Sequence, residues 1–109
     1  MKGKIVLIPF PFTNLITVKK RPALVILERE HDVTVAFISS KIPDHLDKYT
    51  VVINKEHLEF KLSGLKADSN IYLDKLATVK KDLISGEIGE IGSLLRMQIN
   101  ERLKKIFLL

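Results

Sequence analysis

Cysteine is absent from the 109 residues, which excludes disulfides and thiolate metal sites and makes a reducing compartment the natural setting. Tryptophan is absent too. No apolar run approaches the length that spans a bilayer. The run inside the opening MKGKIVLIPF stops at prolines after about five residues, short of a secretory signal, and reads as a first strand; a cytoplasmic location is expected. His31, His45 and His57 are never three or four residues apart, so they form no recognisable metal set, and no cofactor is expected. Internal repeats, low-complexity tracts and linkers are also missing. The length suits one domain, residues 1–109, large enough for a single core and too short for a second.

What is present is mostly strand periodicity. KIVLI (Lys4 to Ile8), ALVIL (Ala23 to Leu27), VTVAFI (Val33 to Ile38), TVVI (Thr50 to Ile53) and NIYLDKLATV (Asn70 to Val79) are rich in β-branched and aliphatic residues. Turn signals at Asp32, Pro43 with Asp44, Asn54 and Gly64 separate them at short intervals, as in a small antiparallel barrel or two-layer sheet. The final SLLRMQINERLKKIFLL changes period: Leu95, Ile99, Leu103 and Ile106 or Phe107 fall three to four apart. Ser93 after Gly92 suits an N-cap, and Lys104 and Lys105 suit a helix C-terminus. An amphipathic C-terminal α-helix closing one face of the sheet is therefore expected.

The formal charge is +5, from eighteen basic and thirteen acidic residues. A surplus of that size suits a polyanionic partner and is equally common in ordinary soluble proteins. The basic triplet Lys19, Lys20 and Arg21 is more pointed, because it tips the stretch IPFPFTNLITVKKRPALVI. A proline cannot donate to a ladder, so Pro9 and Pro11 are expected to end the first strand at a sheet edge, with Pro22 opening the second. Between them lie about ten residues, longer than an ordinary hairpin loop, and such loops are functional or mobile. Phe10 and Phe12 then pack locally or face a partner, where aromatic rings stack on bases, whereas Phe37, between Ala36 and Ile38, reads as core.

Three segments in order carry a resemblance. GKIVLIPFPFTNLITVKKRPALVIL resembles the N-terminal signature of the MazF/PemK (Kid) toxins, VAFISSKIPDH their third strand and the turn after it, and GLKADSNIYLDKLATVKKDLI their fifth-strand motif. The resemblance covers most of the chain. It implies a mainly β fold, a small SH3-like antiparallel barrel with a C-terminal α-helix, that forms a homodimer. It also implies a sequence-selective, metal-independent endoribonuclease of a toxin-antitoxin system, which cuts single-stranded RNA through attack of the substrate's own 2′-hydroxyl and is neutralised by a cognate antitoxin.

Such chemistry needs a cation or donor for the charge that builds on the phosphorane, and groups that move protons. Arg21 matches the family's catalytic arginine; a guanidinium gives two-pronged donation to phosphate and stays charged at any working pH. Ser39 stands at the family's threonine and keeps its hydroxyl. Asp74 matches an acidic position on the fifth strand, but Tyr72 stands where one branch of the family has an arginine and Ala77 where another is usual, so Arg21 and Ser39 are favoured and Asp74 reads first as a structural acceptor. His45, Ser40 and Lys41, beside the third-strand motif, are further candidates for catalysis or RNA binding. Phe12, Thr13, Lys19 and Lys20 form the expected RNA- or antitoxin-binding loop.

Two other classes stay open. CcdB-like toxins use the same barrel to poison gyrase and rely on a tryptophan near the C-terminus, where this chain has none. A catalytically weakened RNA-binding module of the same fold would account for Tyr72 and Ala77.

Overall fold

The computed structural model describes residues 1–10 and 19–109, with the Phe10 side chain outside that description. Phe12 and Thr13 therefore lie outside the described residues. The strands are β1 (Lys4–Phe10), β2 (Lys19–Glu28), β3 (Asp32–Ser39), β4 (Thr50–Ile53), β5 (Ser69–Lys80) and β6 (Gly86–Glu90). Among the described residues two α-helices accompany them, α1 (Phe60–Ser63) and α2 (Ser93–Ile106), with a short 3-10 turn at Lys81–Leu83. The strands form one antiparallel sheet in the order β4-β5-β3-β2-β1-β6, curled into a half-barrel.

Period-two alternation places the core on both faces. Ile5, Leu24, Ala36, Ile38, Ile71 and Leu73 face α2, whose Leu95 and Ile99 are buried against them while Leu103 and Ile106 pack at the margin. Phe107, the alternative end of that stripe, is half exposed. On the other face Val6, Ile8, Ala23, Val25, Val33 and Val35 are buried, with Phe37, Val79 and Ile84 packed against them. Each such side chain contributes on the order of 1.5–3 kcal/mol. That is why runs such as ALVIL carry apolar residues at every position rather than alternating with polar ones.

Three expectations need correction. Pro9 does not end β1, and β1 is interior, flanked by β2 and β6. However, β6 reaches only to Gly86, opposite Leu7, so beyond that point β1 is open on one side and a residue without an N–H is tolerated. Pro22 lies inside β2, paired with Leu7, and the strand starts three residues earlier at Lys19. Ser93 is not the N-cap of α2. Gly92 occupies that position with no side-chain cap. The orphan N–H groups donate instead to the buried Glu59: Gly92 and Leu95 to Oε1 at 3.1 and 2.9 Å, and Leu94 to Oε2 at 2.8 Å. A carboxylate at a helix N-terminus also meets the positive end of the macrodipole.

That carboxylate ties α2 to the segment after β4. Gly64 follows α1 with φ of 72°, and a Cβ there would come within 1.9 Å of the Ile88 carbonyl oxygen. Leu65 donates its N–H to Ser63 Oγ at 3.2 Å, and the Lys55 N–H to Asp68 Oδ1 at 2.8 Å. The backbone of residues 64–68 is thereby held as a wall beside one end of the sheet.

Candidate functional site

The ladder registers assemble the site row by row. One row runs fully across the sheet, Val6 with Ala23, Ala23 with Phe37, Phe37 with Tyr72 and Tyr72 with Thr50. Two residues further toward the end of the sheet, the next row on the same face pairs Ile8 with Arg21, Ser39 with Asn70 and Asn70 with Val52. The β2–β3 ladder has its last pair at Ala23 and Phe37, and Arg21 and Ser39 each lie two residues beyond it on their strands. Arg21 and Ser39, 18 positions apart in sequence, are thus brought to the same end of adjacent strands.

A groove of about 490 Å³ runs over these strand ends. Leu7, Pro22, Ile38, Leu65 and Ile88 give it an apolar floor, and Ser39, Ser40 and Ser69 give it polar edges. Lys19, Lys20, Arg21 and Lys66 line it with four cations against no carboxylate, so its field draws an anion. Arg21 and both lysines of β2 are exposed, Ser39 is half-buried and Lys66 is exposed. Ser39 Oγ accepts the Lys41 backbone N–H at 3.1 Å. That bond occupies one lone pair and leaves the hydroxyl proton for another acceptor.

Five of the residues singled out from the sequence, Lys19, Lys20, Arg21, Ser39 and Ser40, therefore line one groove. Lys41, His45 and Asp74 do not. Lys41 contributes its backbone to Ser39, and His45 lies exposed in the segment between β3 and β4. Asp74 is exposed at an irregularity of β5, where the pairing partner steps from Tyr72 opposite Phe37 to Leu76 opposite Ala36. Tyr72 carries the Lys75 ammonium 4.4 Å from its ring centroid, so a cation stands over the phenol that replaces the arginine expected from one branch of the family.

Two residues of this region were not foreseen. Lys66 falls in a free position of the GLKADS stretch, and nothing in the linear sequence marks it as lining the same groove as Arg21. Asn70 reads as an ordinary strand residue, yet it is fully buried and pairs with Ser39.

Comparison with known proteins gives the family and the fold. Residues 1–107 match the family described as PemK-like, MazF-like toxin of type II toxin-antitoxin system. The chain belongs to this family. Solved structures with the same fold include an endoribonuclease in complex with its cognate antitoxin from Mycobacterial species, with a TM-score of 0.73, 14% identity and coverage of 96% of this chain and 91% of that one. The Mycobacterium tuberculosis toxin MazF-mt6 superposes with a TM-score of 0.71 at 21% identity, covering 95% of each chain. No curated protein matches significantly. Among the described residues no helix is long and apolar enough to cross a membrane, and no group of three or more His, Asp or Glu residues is placed to hold a metal ion.

Proposed function

We propose that this PemK/MazF-family chain is a sequence-selective endoribonuclease that cleaves single-stranded RNA without a metal. The observation that carries the reading is that Arg21 and Ser39, at the same end of adjacent strands, line one groove with four cations and no carboxylate among its lining residues. The substrate's 2′-hydroxyl loses its proton and attacks the adjacent phosphorus; the bond to the 5′-oxygen breaks, and that oxygen gains a proton. The products are a cyclic phosphate and a free 5′-hydroxyl. Arg21 holds two phosphate oxygens as negative charge builds on the phosphorane, and the Ser39 hydroxyl donates to the same group. Ser40 and the backbone at Lys41 shape the rim. Asp74 and His45 are secondary candidates for proton transfer or RNA contact, since neither lines the groove.

The family membership and the basic groove also support a cognate antitoxin whose acidic tail occupies the same surface, and a homodimer as the working form. A weakened RNA-binding module is less well supported, because Lys75 brings a positive charge to the Tyr72 position.

The test is incubation of the purified protein with a long single-stranded RNA in EDTA. Discrete fragments ending in cyclic phosphate are expected, and a substrate with 2′-deoxyribose at the cleavage site is expected to bind uncut. Arg21→Ala should slow cleavage by roughly a hundredfold or more, with little rescue by lysine, which lacks the planar fork. Cutting of the deoxy substrate, a strict need for magnesium, or an alanine variant within about threefold of the parent, far short of the loss of one transition-state donor, would overturn the mechanism.

A further inference from the structure

Asn70 is the polar residue of this region that the chemistry above leaves unused. It is fully buried, and among the described residues neither Nδ2 nor Oδ1 has a hydrogen-bond partner. Burying a polar group with its bonds unmade is costly, whereas an apolar side chain of similar shape at the same place is not. Its neighbours on β5, Ile71 and Leu73, show that the strand accepts large aliphatic residues. The amide is not a cap or a turn device either, since it sits in mid-ladder between Ser39 and Val52.

Direct partners in an antiparallel ladder share a face, with Cβ atoms about 4.5–5.5 Å apart. Asn70 and Ser39 are such a pair, so their side chains leave the sheet side by side, at the end of β3 where Arg21 also lies on the neighbouring strand β2. Ser39 Oγ has one lone pair engaged by the Lys41 N–H, which leaves a second lone pair and the proton.

We propose that Asn70 is a positioning residue for Ser39. When a phosphate enters the groove and the hydroxyl turns to donate to it, the Asn70 Nδ2–H donates into the remaining lone pair of Oγ. The oxygen then holds two donors, its proton has one direction left, and the chain of bonds polarises the hydroxyl toward the phosphate. The bond unmade in the free protein is made with the substrate in place, so the residue trades stability for activity. The inference rests on the nuclease reading and adds a third member to its polar group.

Asn70→Leu and Asn70→Val, two variants that differ in bulk, test it by thermal unfolding and by kinetics on a cleavable RNA. In at least one of them Tm is expected to rise by about 5 °C, the response to removal of one unmade buried bond. In the same variant kcat should fall about tenfold with KM within about twofold, as for a group that acts on the chemical step. In a Ser39→Ala background the same substitution should lower kcat no further, because its effect passes through the missing hydroxyl. A parent protein that cuts no RNA defeats the nuclease reading and this role with it. A parent that cuts, with kcat unchanged in both variants, defeats this inference alone. So do losses that multiply in the double variant, or a fall in Tm in both variants.

Discussion

Glu59 and Asn70 are both polar and both buried, and they have opposite surroundings. At the junction of α1 with α2 the Glu59 carboxylate takes three backbone N–H groups between 2.8 and 3.1 Å, so its burial is matched by bonds. In the ladder between β3 and β5 the Asn70 amide has no partner among the described residues. The first region closes a helix end and pins the wall that carries Lys66; in the second, Asn70 pairs with Ser39 at the strand end where Arg21 lies. The contrast teaches that burial of a polar group does not by itself say what it is for. A carboxylate whose bonds are complete is part of the scaffold, while an amide with open bonds beside a reactive hydroxyl belongs to the chemistry.

The largest effect expected from that contrast lies at Glu59. Glu59→Ala leaves three backbone N–H groups without their acceptor and should cost about 3 kcal/mol or more, with Tm down by more than about 10 °C. Glu59→Gln, which keeps one oxygen, should fall between. Equilibrium denaturation measures both, and a loss under about 1 kcal/mol would mean that water replaces the carboxylate, which would break the comparison. Next comes Ser39. Its alanine variant should lose about tenfold to a hundredfold in kcat, as for removal of a transition-state donor, at unchanged Tm, while threonine keeps activity. Unfolding of Ser39→Ala, monitored by circular dichroism, would instead place Ser39 with Glu59 as scaffold.

Smaller effects are expected from the exposed cations. Each phosphate neutralised on a single strand contributes about 0.7 to the slope of log affinity against log salt. Lys66→Ala should therefore flatten that slope by about 0.7, and the Lys19→Ala, Lys20→Ala pair by about one to one and a half. Equal slopes in filter-binding titrations of parent and variants would show these side chains to be solvated tips. The same lysine pair should slow association of an acidic antitoxin tail, since charges at an interface rim act on encounter.

The smallest effect belongs to Glu28, a carboxylate whose bonds are complete at the surface. The Lys81 ammonium at 2.8 Å, followed by the terminal amine of Met1, holds its carboxyl down to about 2 from an ordinary 4.5. A group whose folded pKa is depressed adds stability above its unfolded value, and that stability is lost as pH falls through the folded one. Glu28→Gln should therefore flatten the stability profile between about pH 4.5 and 2, modestly and less so at high salt, because the pair is exposed. An unchanged acid limb in pH-dependent unfolding would show the pairing to be without thermodynamic weight.

Five of the six strands are legible from β-branched and aliphatic runs, because a strand buried on one or both faces must supply apolar side chains at those positions. The sixth, GEIGE, carries one aliphatic residue and gives no period-two signal. It exists because β1 offers a ladder edge, and at Gly89 only a glycine fits, since a Cβ would lie 2.3 Å from Ser63 backbone atoms. Helix α1 is four residues long, too short for a period to show. In the candidate site, Arg21 and Ser39 were readable because motif positions are local patterns. Lys66 and Asn70 were not, since their part depends on which strand ends meet.

The amino-acid sequence alone determined the strand-rich core, the C-terminal amphipathic helix, the basic tip before Pro22 and the kinship with a toxin family, all of which reside in residue type and spacing along the chain. The tertiary structure decided that β1 is interior, that a glutamate 34 positions upstream caps α2 in place of Ser93, and that Asn70 pairs with Ser39 at the strand end where Arg21 lies. Those are matters of register between strands and of contact between distant segments. Local propensity carries no information about either, because each is set by which arrangement of the whole chain buries the apolar faces and leaves the fewest bonds unmade.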